Sequence, residues 1–223
     1  EYWELEQAKL KKSNSTCKEF EGKVVLITDA LSSAQKICAK MLKEKGATIA
    51  AFDKSEDVES VYNKLGELGI QCNLVNQDEI KKAVDEVIRN FGGLDIVIND
   101  IGSSIISKEE TNGHNWQKYL DINVTKHQNV LKATLPYLKE GINPSIILIA
   151  SKEFISVGNE HVIYTAVEND QIELSHNTTN ELSRFGIRVN TIYPRKVSGV
   201  NEKTLLHRAE LCGLSLDEYL QED

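Results

Sequence analysis

Continuous apolar runs alternate along this chain with segments whose apolar residues recur at helical spacing, and no other feature constrains the fold as strongly. The runs are predicted to be strands buried on both faces, because a strand with one solvent-exposed face would alternate apolar and polar residues. They lie at residues 23–28, 47–52, 70–75, 94–98, 145–150 and 187–192. The helical segments lie at about 34–42, 58–68, 80–91, 114–139 and 161–184. This alternation predicts one α/β domain with a doubly wound parallel sheet.

The composition narrows the range of functions. The chain has 223 residues, which suits one domain with a sizeable core. Its formal net charge of −8 argues against general nucleic-acid binding, because a negative surface repels phosphate backbones. No apolar run approaches the roughly 18 residues that a membrane span needs. The four cysteines are widely spaced and lack metal-site spacing, so we expect free thiols, no metal and an intracellular protein of the cytosol or an organelle matrix.

The two ends of the chain differ from the alternating middle. Residues 1–21 are predicted to be a helical arm and a polar linker. Residues 22–199 hold the alternating domain, and residues 200–223 are predicted to be a short helical segment. Within that segment, Ser215 is the expected N-cap of a helix over about 213–220.

Six landmarks in the alternating domain resemble the short-chain dehydrogenase/reductase family. Tyr164 follows Ser151 at the spacing that the family uses for this pair. The other landmarks keep the family's order and lie at residues 22–35, 93–102, 115–124, 146–151 and 185–194. The resemblance implies a Rossmann-type sheet of about six strands in the order 3-2-1-4-5-6. The family's seventh strand is missing from this sequence, so the sixth strand is expected to be a hydrophobic edge that needs cover.

The cofactor loop departs from the family pattern T-G-x-x-x-G-x-G, in which glycines let the backbone approach the pyrophosphate of the cofactor. The three glycine positions hold Asp29, Ser33 and Gln35. Asp29 places a carboxylate where phosphate charges would sit, and one such contact at about 4 Å costs on the order of 4 kcal/mol. Gln35 adds bulk where helix and strand approach closely, whereas the Ser33 hydroxyl could donate to a phosphate. The interpretation is therefore that no cofactor is bound, or NAD(H) if any is.

Other positions keep residue types that bind a dinucleotide in the family. Asp53, after the second predicted strand, matches the acceptor for the adenosine ribose and favours NAD over NADP. Asn73 stands where the family has an adenine-binding Asp, and Asn99 lies in the loop of the fourth strand. The candidate cofactor residues are Thr28, Ser32, Ser33, Asp53, Asn73, Asn99, Gly102 and Pro194. A structural interpretation stays open, in which Asp53 is a solvated strand-end carboxylate and the two asparagines cap turns.

The catalytic set that the resemblance implies is incomplete. Asn123, Ser151 and Tyr164 match the family's catalytic positions, but the Lys position four residues after Tyr164 holds Glu168. A nearby carboxylate disfavours the phenolate that a cation would stabilise, so Tyr164 is expected to be a poor acid–base near neutral pH. We therefore interpret these three catalytic residues as vestigial.

Polar residues on the predicted helix that carries Tyr164 point to protein partners. Asn169, Asp170 and Thr178 stand where the family prefers small or apolar residues, on a helix that commonly packs against a second subunit. Buried polar groups need partners, so a different protein is expected to cover this face and the edge of the sixth strand.

Three functions stay open on the sequence. The favoured one is a catalytically inactive member of the family that serves as a structural or interaction subunit of a larger assembly. The first alternative is an NAD(H)-binding sensor module. The second is an active NAD-dependent oxidoreductase on a small carbonyl or alcohol, in which Lys152 or His161 would replace the missing cation.

Overall fold

The computed structural model describes residues 18–100, 124–150, 162–192, 206, 209 and 213–221. Six strands lie in these ranges: β1 Val24–Thr28, β2 Thr48–Asp53, β3 Leu68–Gln71, β4 Ile96–Asp100, β5 Ser145–Ile149 and β6 Arg188–Ile192. The helices there are α1 Ser33–Glu44, α2 Asp57–Asn63, α3 Gln77–Phe91, α4 Lys126–Leu138, α5 Val162–Ser183 and α6 Leu216–Gln221.

The strands form one parallel sheet in the order β3-β2-β1-β4-β5-β6. β1 lies at its centre, where Ile27 pairs with Ala51 of β2 and with Ile98 of β4. The chain winds outwards from β1 to β3 and then returns to the other side of β1 for β4. This arrangement confirms the predicted fold class and strand order.

Each face of the sheet is covered by its own apolar core, which explains why the strands read as continuous apolar runs. Leu26 and Phe52 belong to the core that α3 and α4 share, whereas Ile27 and Ile49 belong to the core under α1 and α2. All five residues of β1 are buried, and each large apolar side chain so placed contributes about 1.5–3 kcal/mol.

The third strand begins earlier than the predicted 70–75, because a close contact fixes its position. β3 starts at Leu68, and a Cβ on Gly69 would lie 2.3 Å from the carbonyl oxygen of Val58. Only glycine lets the strand pass α2 at that distance. The helical segment predicted over about 58–68 is therefore too long, since α2 ends at Asn63.

The ends of α3, α5 and α6 lie close to the predicted ones. The start of α4 predicted at residue 114 falls outside the described residues. Gly92 closes α3 in the left-handed conformation with φ 80°, as expected of a C-cap glycine. α5 spans Val162–Ser183 against a predicted 161–184. The Ser215 hydroxyl accepts from the Glu218 backbone N–H at 3.3 Å, which confirms the predicted N-cap of α6.

β6, which was predicted to be a hydrophobic edge, lies at one edge of the sheet, and its exposed positions hold both polar and apolar residues. Its residues alternate between exposed and half-buried, and exposed Arg188 and Asn190 make the solvent-facing positions partly polar. Ile192 is 49% exposed. The prediction that a protein partner covers this edge stays a prediction, as does the division of the chain at residues 21 and 199. In the described part of the chain, no helix has the length and apolar character to cross a membrane.

Candidate cofactor site

The carboxyl ends of β1, β2 and β4 meet where the winding of the sheet reverses. In open α/β sheets, ligands bind in the crevice outside such a reversal, because the loops on its two sides diverge there. Thr28 ends β1, Asp53 ends β2, and Asn99 and Asp100 end β4. The topology thus brings together four polar residues that lie as many as 72 positions apart in the sequence.

The loop after β1 keeps the tight turn of a dinucleotide-binding loop although it has no glycine. Asp29 adopts φ 48°, in the left-handed region that Asp tolerates better than most residues. The Ser32 N–H donates to the Asp29 carbonyl at 3.1 Å and closes the turn. Ser32 then caps α1, its hydroxyl accepting from the Gln35 N–H at 3.3 Å. Ser33 begins that helix with ordinary helical geometry, so the second glycine position does not need glycine here.

Asp29 is paired with a lysine that the sequence analysis did not consider. The Lys126 ammonium lies 2.8 Å from Asp29 Oδ2, and the Lys126 side chain is 9% exposed against 38% for Asp29. The carboxylate in the cofactor loop is therefore not the uncompensated negative charge that the sequence predicted. A lysine at a buried position of a predicted helix was the available signal, since lysine is almost never buried without a partner.

Gln35, at the third glycine position, is accommodated by a contact with β4. Its side chain is fully buried, and its amide nitrogen donates to Asp100 Oδ2 at 3.3 Å. Its Oε1 atom is buried and has no hydrogen-bond partner among the described residues. The extra bulk thus joins α1 to the carboxyl end of β4.

Thr28 and Asn99 form a buried polar link between the central strands. The Thr28 hydroxyl donates to Asn99 Oδ1 at 3.1 Å and accepts from the Asp100 N–H at 2.9 Å. The Asn99 amide nitrogen is buried, and no described residue accepts a hydrogen bond from it. Asn99 therefore does more than cap a turn, because it ties β1 to β4 and leaves one donor unused.

Asp53 is a fixed acceptor rather than a solvated carboxylate. It is 9% exposed, with Oδ2 accepting from the Leu31 N–H at 3.0 Å and Oδ1 accepting from the Ser55 N–H at 3.1 Å. Tyr62 supports the same loop, since its hydroxyl donates to the Ala30 carbonyl at 2.9 Å. Burial, and then the nearby Asp53 charge, raise the pKa of Tyr62 to about 12.

Asn73 caps a turn, which is the structural role that was left open for it on the sequence. Its side chain is exposed, and its Oδ1 accepts from the Val75 N–H at 3.1 Å. Its own N–H donates to Glu79 Oε2 at 2.9 Å. A role for Asn73 toward adenine stays a prediction.

The start of α4 lies beside the loop after β1 and the loop after β3. Asn129 donates to the Val75 carbonyl at 2.9 Å, while Lys126 reaches the loop after β1. Between them His127 is fully buried, and within the described ranges neither of its ring nitrogens has a hydrogen-bond partner. Burial, and then the charge of Lys126, lower the pKa of His127 well below its usual range, so the imidazole is neutral.

The catalytic candidates lie largely outside the described residues. Asn123 and Ser151 fall in the ranges 101–123 and 151–161, and the cofactor candidates Gly102 and Pro194 likewise fall outside the described residues, in 101–123 and 193–205. At Tyr164 and Glu168 the structure describes the helical backbone of α5, in which the two positions are about one turn apart. Their catalytic roles stay predictions. Among the described residues, no group of His, Cys, Asp or Glu is arranged to hold a metal ion.

The family model for short chain dehydrogenases matches residues 23–208 of the chain. The chain belongs to the short-chain dehydrogenase family. An uncharacterized oxidoreductase of Staphylococcus epidermidis is 31% identical over 185 residues, which cover 78% of each chain. The 3-oxoacyl-acyl-carrier-protein reductase FabG of Thermotoga maritima is 28% identical, over 87% of this chain and 82% of its own. These members of the family are oxidoreductases, so the family membership does not support the inactive interpretation.

Solved structures of the family agree with the fold. An NAD+-bound xylitol dehydrogenase superposes with a TM-score of 0.74 at 26% identity, covering 87% of this chain and 78% of that one. A ligand-free aldohexose dehydrogenase of Thermoplasma acidophilum superposes with a TM-score of 0.68 at 20% identity, covering 79% and 68%. The first of these similarities also bears on the cofactor, and it does not support the expectation that none is bound.

Proposed function

We propose that the chain binds NAD(H) at the carboxyl edge of β1, β2 and β4 and works as an NAD-dependent oxidoreductase-like protein. The observation that carries this proposal is Asp53, a nearly buried carboxylate held at the end of β2 by two backbone N–H groups. An ionised carboxylate has about four acceptor sites, so two remain for the hydroxyls of an adenosine ribose. The likeness to an NAD+-bound xylitol dehydrogenase supports the same class of ligand.

The described residues fit a dinucleotide in two further respects. The turn at Asp29 has the left-handed backbone that the family's first glycine supplies, and Lys126 compensates the carboxylate beside it. Thr28 and Asn99 hold β1 and β4 together at the base of the crevice. NAD(H), when bound, supplies or accepts a hydride. The protein's part is to bind and orient it, and to move a proton at the substrate oxygen.

The proton transfer is the weaker half of the proposed activity. Tyr164 is the candidate donor, and Glu168 one turn later replaces the cation that would stabilise its phenolate. We therefore expect slow turnover of a small carbonyl or alcohol.

A second candidate function rests on the same substitution. If Glu168 prevents proton transfer altogether, the chain is a catalytically inactive subunit whose partners cover the β6 edge and the α5 face. This candidate predicts no turnover with any substrate, whatever the cofactor affinity.

Calorimetric titration with NADH, NAD and NADPH tests the main proposal. We expect NADH to bind more tightly than NADPH, because a ribose 2′-phosphate would meet the Asp53 carboxylate. Asp53→Asn should narrow the ratio of the NADH and NADPH affinities by about tenfold, which corresponds to roughly 1.4 kcal/mol. The ratio is the informative quantity, since the variant also weakens one backbone hydrogen bond.

The matched control is Glu59→Gln, which removes one carboxylate charge from an exposed position of α2. It should leave the ratio unchanged. No binding of any nicotinamide dinucleotide at millimolar concentration would reject NAD(H) binding and leave the inactive subunit as the better candidate.

A further inference from the structure

Lys126 is placed unusually for a lysine. Its side chain is 9% exposed, and its ammonium lies 2.8 Å from Asp29 Oδ2. Burial of an ammonium is costly unless the charge is paired and hydrogen-bonded, so this position has to be held by its surroundings. The partner is the more exposed member of the pair, with 38% of the Asp29 side chain open to solvent.

The place of the ion pair in the fold is as informative as its geometry. It connects the loop after β1 to the first residue of α4, over 97 positions of sequence. That loop is the one whose turn and following helix N-terminus approach the phosphates in dinucleotide-binding folds. An ammonium has three donors, so the bond to Asp29 leaves donor capacity on Lys126.

Two buried polar atoms, one on α1 and one on β4, have no hydrogen-bond partner among the described residues. Gln35 Oε1 is an acceptor and Asn99 Nδ2 is a donor, both are buried, and neither finds a partner in the part of the chain that the structure describes. The residues that carry them are fully buried. Most buried polar groups in native proteins are satisfied, so this acceptor and this donor need an explanation, and a polar ligand bound beside them would be one.

We propose that Lys126 is the diphosphate-binding residue of this site, with Asp29 positioning its ammonium in the loop. The inference rests on the proposed NAD(H) binding and names the group that makes an acidic loop compatible with a doubly charged ligand. The family's glycines let the backbone approach the phosphates, whereas this chain would add a side-chain cation from α4.

The test measures binding of ADP-ribose, which carries the diphosphate, and of adenosine, which does not. We expect Lys126→Met to weaken ADP-ribose binding by about 10- to 100-fold, as for the loss of a charge-assisted contact, and to leave adenosine binding unchanged. Calorimetry serves for ADP-ribose, and ligand-detected NMR titration serves for adenosine. Both readouts are independent of turnover.

A double variant separates a direct contact from simple charge neutralisation. In Asp29→Asn/Lys126→Met the loop has neither charge. If Lys126 contacts the diphosphate, the double variant stays at least tenfold weaker than Asp29→Asn alone. If the double variant regains the affinity of the wild-type protein, Lys126 only neutralises Asp29 and the inference is wrong.

Lys23→Met is the matched control. Lys23 also forms a partly buried ion pair, 2.7 Å from Asp95. It lies at the amino end of β1, whereas the proposed site lies at the carboxyl end. The Lys23→Met variant removes one positive charge, as Lys126→Met does, and should leave ADP-ribose binding unchanged. If the wild-type protein binds neither NADH nor ADP-ribose, the proposed function fails together with this inference. If it binds both and Lys126→Met binds them equally well, this inference alone fails.

Discussion

At the scale of single residues, the cofactor loop shows how a substitution that looks disabling can be compensated at a distance. Asp29 was expected to repel a cofactor phosphate by on the order of 4 kcal/mol. The ion pair with Lys126 offsets that charge, and the tolerance of Asp for the left-handed region preserves the turn. Neither effect is visible from the loop sequence, because one depends on a residue in another helix and the other on the backbone angle.

Tyr62 supports the same loop, and its removal should change the alkaline stability of the protein. Tyr62→Phe deletes the hydrogen bond to the Ala30 carbonyl, so the free energy of unfolding at pH 8 should fall by about 0.5–1.5 kcal/mol. The pKa of Tyr62 is about 12 in the folded chain, against about 10 when unfolded. The folded state therefore holds this proton more tightly, and stability is lost as pH rises from 10 towards 12.

Urea unfolding at pH 8, 10.5 and 11.5 checks this prediction. The wild-type protein should lose more stability over that interval than Tyr62→Phe, which cannot ionise at this position. Cys72, whose pKa burial also raises to about 12, is present in both proteins and cancels in the comparison. Equal losses in the two proteins would show that Tyr62 does not couple to alkaline unfolding.

At the scale of secondary-structure elements, α5 carries the residue that decides between the two candidate functions. Glu168→Lys restores a cation one turn after Tyr164, which should favour the phenolate and raise turnover by at least about tenfold if the rest of the catalytic set is competent. The assay follows NADH oxidation with a panel of small carbonyls. Glu173→Lys makes the same change of charge at an exposed position of the same helix and should have no effect.

The contact between β3 and α2 gives a sharper structural prediction. Gly69→Ala would place a Cβ 2.3 Å from the Val58 carbonyl oxygen, so the strand and helix would have to separate. We expect a loss of about 1–3 kcal/mol or more in the free energy of unfolding, as for other overpacked sites. Gly93→Ala is the control, because a Cβ added there would meet nothing within 4 Å and the φ of Gly93 is not positive. Equal stability of the two variants in urea unfolding would contradict this account.

The same contact explains which parts of the fold could be predicted from the sequence. Buried strands such as β1 are almost entirely apolar, so their number and their alternation with helices follow from the pattern, whereas their order followed from the family resemblance. The limits of β3 do not follow from the pattern, because residues 72–75 are largely apolar, as in a strand, but leave the sheet before Asn76 caps α3. Thr28, Asp53 and Asn99 were proposed by resemblance, whereas for Lys126 the local pattern signals only a buried lysine and does not name Asp29 as its partner.

At the scale of the whole molecule, the unsatisfied polar groups and the buried cation of the described residues lie near the carboxyl ends of the central strands. They are the side chains of Gln35, Asn99, His127 and Lys126. The amino ends of the same strands have paired surface charges instead, such as the Lys23–Asp95 ion pair that connects the start of β1 to the segment before β4. This asymmetry is typical of doubly wound sheets, in which ligands bind at the carboxyl edge. It predicts that cofactor binding and global stability are linked through the carboxyl edge.

Thermal unfolding in the presence of cofactor measures that linkage. A ligand at 100 times its dissociation constant stabilises the folded state by about 2.7 kcal/mol. For a domain of this size, 1 kcal/mol corresponds to about 2–4 °C in Tm, so saturating NADH should raise Tm by about 5–10 °C. NADPH at the same concentration should give a smaller shift because of Asp53. Lys126→Met should lose about half or more of the NADH shift, because its affinity is expected to be 10- to 100-fold weaker, while Lys23→Met keeps the shift. Equal shifts with NADH and NADPH would contradict the role of Asp53 as ribose acceptor, and no shift with either would contradict dinucleotide binding itself.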